Sequence, residues 1–160
     1  MYFLIIVVII VLCILCIQLE YQGGIIMIST KGRYALRLML DLATQESADT
    51  EYVPLKDIAS RQGISEKYME IIIKELVKNK LIIGLRGKGG GYKLTRKPEE
   101  YPVGEILEAA GEQLAPVACL LSDTEPCERE DACQTISMWK KFNRLSHDFF
   151  YGIKLTDLVE

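Results

Sequence analysis

The sequence predicts a mainly α-helical protein carrying one small β-hairpin. Three observations predict it. Apolar residues recur at i, i+3, i+4 spacing in several separate stretches, the mark of amphipathic helices. Only residues 81–94 read as strand, loop and strand, and the loop between them is rich in Gly and basic. Within residues 55–94 a short helix, a Gly-containing turn, a second helix and that hairpin follow one another, the order of a winged helix-turn-helix.

Residues 1–26 belong to a different design. Tyr2 to Ile17 is an unbroken apolar run of 16 residues, with Cys13 and Cys16 inside it. A spanning helix needs about 20 apolar residues, and a signal peptide needs a basic start, whereas no Lys or Arg occurs before Lys31. Gln22-Gly23-Gly24 can be encoded by a purine-rich ribosome-binding sequence, with Ile25-Ile26 as spacer. We therefore expect Met27 to be the true start and 1–26 to be translated leader, the alternatives being a membrane anchor or a soluble extension. An anchor would leave Lys31 and Arg33 on the cytoplasmic side.

From Met27 the elements follow in order. Ser29 or Thr30 can cap a helix to about Thr44, with Tyr34, Leu38 and Leu42 in its buried stripe. Gln45 to Glu51 is a polar connector, and Pro54 suits the first turn of the next helix. That helix runs from Leu55 to Gln62, where Gly63 breaks it. Ser65 can cap the second, whose apolar stripe is Tyr68, Met69, Ile72, Ile73, Leu76 and Val77. Lys67, Glu70, Lys74 and Lys78 fall on its other face, which is solvated or reads something. Leu81-Ile82-Ile83 and Tyr92-Lys93-Leu94 read as strands around the loop Arg86-Gly87-Lys88-Gly89-Gly90-Gly91. Residues 27–97 thus form the winged helix unit.

Residues 98–131 read as a linker, a short helix from Val103 to Ala110 ended by Gly111, and an acidic Cys-bearing loop. Residues 132–160 read as a longer helix and a C-terminal turn capped by Thr156. The longer helix carries a stripe of Ile136, Trp139, Phe142, Leu145 and Phe149, either core or a dimer seam. We favour the seam, because the winged module is small and DNA readers of this kind commonly pair.

The charge distribution supports a nucleic-acid reader better than the total does. Net charge is −3 and pI about 5.3. Residues 27–100 hold 14 Lys/Arg against 10 Asp/Glu, net +4, and residues 101–160 hold 5 against 11, net −6. A basic half can meet phosphates while an acidic half senses or dimerises. Enzymatic readings fail. There is one His, no convincing nucleophile–base pair, and no phosphate loop, since Gly84 lies too close to Gly87-Lys88 and Gly89 follows the Lys. The dinucleotide fingerprint fails too, because Tyr92 stands where a Gly is needed.

Three Cys lie outside the leader: Cys119, Cys127 and Cys133, spaced C-x7-C-x5-C. An odd number in one polar loop of an intracellular protein suits neither stable disulfides nor core packing. Metal, cluster or redox chemistry remains, beside incidental thiols, and spacing alone does not separate these.

The runs 29–43 (STKGRYALRLMLDLA), 55–65 (LKDIASRQGIS), 67–76 (KYMEIIIKEL), 81–94 (LIIGLRGKGGGYKL) and 103–109 (VGEILEA), with the triple-Cys loop, resemble the Rrf2 family of bacterial transcriptional repressors. That family includes iron–sulfur regulators of the IscR, NsrR and RirA kinds, and the CymR kind, which lacks the three Cys. The resemblance implies a cytoplasmic, homodimeric reader of double-stranded DNA with a winged helix domain, a long C-terminal dimerisation helix and no small-molecule substrate. It implies that Cys119, Cys127 and Cys133 hold an iron–sulfur cluster, 2Fe-2S ahead of 4Fe-4S. It implies that Ser65, Lys67, Tyr68 and Glu70 face the major groove and that Arg86 enters the minor groove, with Lys88 beside it in the wing.

Two departures stand out. The first Cys gap is longer than the family's usual five or so, and Ile136 stands where IscR offers a His. On a continuous helix His147 would lie ~21 Å from Cys133. The fourth ligand is then expected from Glu128, Asp131, a partner chain, water or a small thiol. Acidic neighbours Asp123, Glu125, Glu128, Glu130 and Asp131 are expected to raise the thiol pKa values. Three functions follow: a cluster-sensing repressor, a cluster-free thiol redox switch or CymR-like regulator, and a membrane-tethered regulator.

Overall fold

The structure is a computed structural model describing residues 28–46, 52–121, 124, 125 and 127–159. The apolar leader, the start at Met27, most of the Gln45–Glu51 connector and Asp123 lie outside those residues. Its helices are α1 (Thr30–Glu46), α2 (Leu55–Gln62), α3 (Glu66–Lys78), α4 (Val103–Ala109) and α5 (Ile136–Gly152). Strands β1 (Ile82–Leu85) and β2 (Gly91–Leu94) form one antiparallel hairpin. This is the mainly helical, winged arrangement the sequence predicts.

Helix α1 is the centre. It packs on α2, α3, α4 and β2, and its Ala35, Leu38, Met39, Leu42 and Ala43 are buried. Leu38 and Leu42 recur at helical spacing with Tyr34, which is half-buried at the edge of the same core. Between α2 and α3, Gly63 takes the left-handed conformation (φ +64) that a side chain would strain. Ser65 then caps α3, its hydroxyl accepting from the Tyr68 amide at 3.3 Å. From α3, Met69, Ile72, Ile73 and Leu76 enter the core, while Val77, expected in that stripe, is 40% exposed.

The hairpin starts one residue later than expected. Lys80 takes φ +60, and the Leu81 amide closes α3 on the Leu76 carbonyl at 2.9 Å. That amide is spent on the helix end, so pairing runs from Ile82↔Leu94 to Leu85↔Gly91. A third segment joins unforeseen. Val53 and Tyr92 exchange backbone bonds of 2.9 and 2.8 Å. Gly91 permits this approach, since a Cβ there would lie 2.3 Å from the Val53 carbonyl oxygen.

Tyr101 fastens the base of the hairpin to α4. Its ring is fully buried, and its hydroxyl donates to the Leu81 carbonyl at 2.8 Å. The same oxygen accepts from the Thr95 and Arg96 amides at 2.9 and 2.8 Å. The C-terminal turn closes over this point, with the Leu155 amide on the Tyr101 carbonyl at 2.9 Å. Its cap corrects the expectation: Lys154, not Thr156, holds the N-cap position, its amide donating to Asp157 at 2.8 Å.

Helix α5 begins at Ile136 rather than near Ala132. Residues 130–132 form a separate 3-10 turn, and Cys133 is extended (φ −83, ψ 105), which no helix can pass through. At its far end Phe150 and Tyr151 pack against Val103, Leu107 and Leu114. Along the rest of its apolar face Ile136 and Trp139 are half-buried, and Met138, Phe142, Leu145 and Phe149 are 45–60% exposed. Among the described residues no helix is long and apolar enough to cross a membrane.

Candidate nucleic-acid interface and cysteine loop

On the exposed side of α3, Lys74 and Lys78 line one open groove with Arg86 of the hairpin. Ser65, Lys67, Glu70, Lys74 and Lys78 are exposed, as are Arg86 and Lys88. The tip is a hydrogen-bonded β-turn, the Gly90 amide donating to the Gly87 carbonyl at 3.0 Å. Tyr68 is half-buried, its ring edge-on to Tyr34 of α1 at 5.8 Å between centroids. Lys93 faces back instead, its ammonium 4.5 Å from the centre of the Tyr52 ring.

A polar network holds α2 on α1. Asp41, 7% exposed, receives both arms of the Arg61 guanidinium, at 2.6 and 3.0 Å. It also accepts from the Gln62 side-chain amide at 2.9 Å, and Arg37 donates to the Gln62 side-chain oxygen at 2.9 Å. A buried carboxylate needs such saturation, because leaving it unpaired is costly. Sequence reading missed this set, although an Asp inside an apolar helix stripe was the available signal.

The cysteine loop does not form a ligand set in this conformation. Cys119 is exposed, Cys127 and Cys133 half-buried, and all three are free thiols. Among the described residues no three His, Cys, Asp or Glu side chains converge where a metal ion could sit. The donors suit an iron–sulfur centre in kind, but not in placement. Of the neighbouring carboxylates, Glu130 is paired with Lys140. His147 stacks on Tyr151 at 4.3 Å and lines a cavity with Leu120, Leu121 and Thr124 of the loop.

The expectation of raised thiol pKa values is corrected at Cys133. Its thiol is pushed below the ordinary value, first by the Thr135 hydroxyl, whose oxygen lies 3.5 Å from the sulfur. Backbone bonds at Thr135 and Ile136 and the charge of Arg129 act the same way, against a desolvation contribution. Local hydrogen bonds to the thiolate outweigh the acidic neighbours. Thr135, two residues on, was the signal in the sequence.

Comparison with known proteins agrees with this fold. Residues 28–160 match the Rrf2 model, described as an iron-dependent transcriptional regulator. The chain is 38% identical over 132 residues to the HTH-type transcriptional regulator IscR of Pectobacterium atrosepticum, covering 82% of this chain and 78% of that protein. Among solved structures, CymR, the global cysteine regulator of B. subtilis, superposes with a TM-score of 0.64 at 32% identity, over 82% of this chain and 94% of that one. IscR of T. potens gives 0.61 at 34% identity, over 82% and 84%. Such relatives are DNA-binding transcriptional regulators and not enzymes. With its winged hairpin, its central α1 and a match across nearly all of its described residues, the chain belongs to the Rrf2 family of transcriptional regulators.

Proposed function

We propose that this protein is a cytoplasmic, homodimeric repressor that reads double-stranded DNA and senses iron, oxygen or nitric oxide through an iron–sulfur cluster on Cys119, Cys127 and Cys133. The carrying observation is three free thiols on a segment whose regular structure, among its described residues, is limited to short 3-10 turns. A segment this lightly structured can draw its thiols together, and folding around a metal centre supplies the ordering energy. A bound cluster would supply iron–thiolate bonds that respond to oxidants and nitric oxide. A 2Fe-2S centre is favoured over 4Fe-4S. Ser65, Lys67, Tyr68 and Glu70 would lie in the major groove, with Arg86 and Lys88 in the wing on the flanking minor groove. The uncovered faces of Phe142, Leu145 and Phe149 support the seam of a two-fold dimer.

The test is anaerobic purification followed by a visible spectrum with iron and sulfide assays. Charge-transfer bands lost in each of Cys119→Ala, Cys127→Ala and Cys133→Ala support the reading. Colourless protein without iron or sulfide rejects it. The Cys133 environment favours a second reading, a thiol redox switch without cluster, since a thiolate is the form that oxidises. CymR, whose oxidised form from Staphylococcus aureus is among the similar solved structures, is consistent with that reading.

A further inference from the structure

Helix α1 opens with Ser29-Thr30-Lys31-Gly32. Ser29 sits as a cap, its hydroxyl accepting from the Lys31 and Gly32 amides at 3.1 and 3.3 Å. In a capping box the residue three after the cap is Glu or Gln, and its side chain returns to the cap amide. That position is Gly32 here. The carboxylate comes instead from Glu112, 80 residues along the chain. It accepts from the Ser29 amide and the Gly32 amide, each at 3.0 Å, and from the Ser29 hydroxyl. Gly32 makes the room: a Cβ there would lie 2.7 Å from Glu112 Cγ.

Glu112 is also the root of the cysteine loop. Gly111, at φ +90, turns the chain out of α4, and the Glu112 amide closes that helix on the Leu107 carbonyl at 3.0 Å. From there to Ile136 no regular α-helix forms among the described residues. On the other side of the contact, Tyr34 lies two residues beyond Gly32 in α1, and its ring meets Tyr68 of α3. A second tie joins the same end of α4 to the end of α3, the Asn79 side-chain amide donating to the Ala109 carbonyl at 3.2 Å.

We propose that Glu112 couples the cysteine loop to α3 by capping α1 from across the fold. Displacing the loop root would uncap α1 and loosen Tyr34 against Tyr68. This rests on reading the loop as the sensor, but its test needs no cluster. Hydrogen exchange at the Ser29 and Gly32 amides, the two that donate to Glu112, is followed in the full chain before and after iodoacetamide alkylation of the loop thiols. Three proteins are compared: wild type, Glu112→Ala, and Gly32→Glu with Glu112→Ala, which restores the box within α1 itself.

Alkylation should speed first-turn exchange in wild type by about fivefold, the loss of one cap. Glu112→Ala should exchange fast in both states. The double variant should exchange slowly in both, because its cap no longer feels the loop. It also remains informative if Glu112→Ala folds poorly. Wild-type amides indifferent to alkylation, or a double variant that responds as wild type does, would overturn the coupling. Absence of iron and sulfide would instead reject the cluster and leave this result standing.

Discussion

Tyr101→Phe isolates one hydroxyl at the junction of wing and α4. The ring stays, so buried apolar area and the Arg96 guanidinium at 4.4 Å from the ring centre are retained. Four partners of the hydroxyl are affected unequally, and one of them, the Thr95 hydroxyl at 3.0 Å, keeps its bond to the Lys80 carbonyl at 2.7 Å. The Leu81 carbonyl still accepts from the Thr95 hydroxyl at 3.1 Å and the Thr95 amide at 3.2 Å. The Thr95 amide therefore also keeps a partner. The Arg96 amide, whose bond to Tyr101 is 2.8 Å, loses its acceptor. One orphaned amide costs ~1–3 kcal/mol, and the other lost bonds add ~0.5–1.5 kcal/mol net. We expect a total of about 2–3 kcal/mol, measured by urea unfolding at fixed protein concentration as a lower midpoint with unchanged slope. A loss under about 0.5 kcal/mol would refute the reasoning, since it would mean that water replaces every partner.

Three further outcomes are expected. Arg86→Ala should weaken duplex binding by ~1–3 kcal/mol and more than Lys93→Ala, because Arg86 is exposed at the tip while Lys93 lies over Tyr52; equal losses in a titration at fixed salt would count against it. With Cys119 and Cys127 replaced by Ser, the alkylation rate of Cys133 should rise with pH through a midpoint below that of an ordinary thiol, and Thr135→Val should move it up; a midpoint unchanged by that substitution would remove the hydrogen-bond explanation. Leu145→Asp with Phe149→Asp should sediment as monomer at micromolar concentration with helix content unchanged, whereas a persistent dimer would place the seam elsewhere.

The helices were legible because their apolar spacing and end signals agree. Leu38 with Leu42, Met69 with Ile72 and Leu76, and the pair Gly63 and Ser65 each state one local geometry. What escaped reading depends on pairs distant in sequence. The Val53–Tyr92 bridge, the Glu112 cap and the Tyr101 junction each need the fold before the partners can be known. Val77 was placed in the core by period alone, which counts a turn correctly but not how wide a face is covered. At the cysteine loop, counting acidic residues predicted the wrong direction for Cys133. A hydroxyl in hydrogen-bond range outweighs charges spread through solvent. The three thiols were readable as a group, but their separation in this conformation was not, because a loop without periodic pattern carries no register.

We propose that the state of the cysteine loop sets DNA affinity. It is tested most directly by duplex titration of wild type and of the triple Cys119→Ala, Cys127→Ala, Cys133→Ala variant, each as purified anaerobically and again after exposure to oxygen. Wild type should change its affinity at least about fivefold between the two states, a coupling of ~1 kcal/mol, and the triple variant should show one affinity in both. An oxygen-insensitive wild type, or a triple variant that keeps the shift, would contradict it.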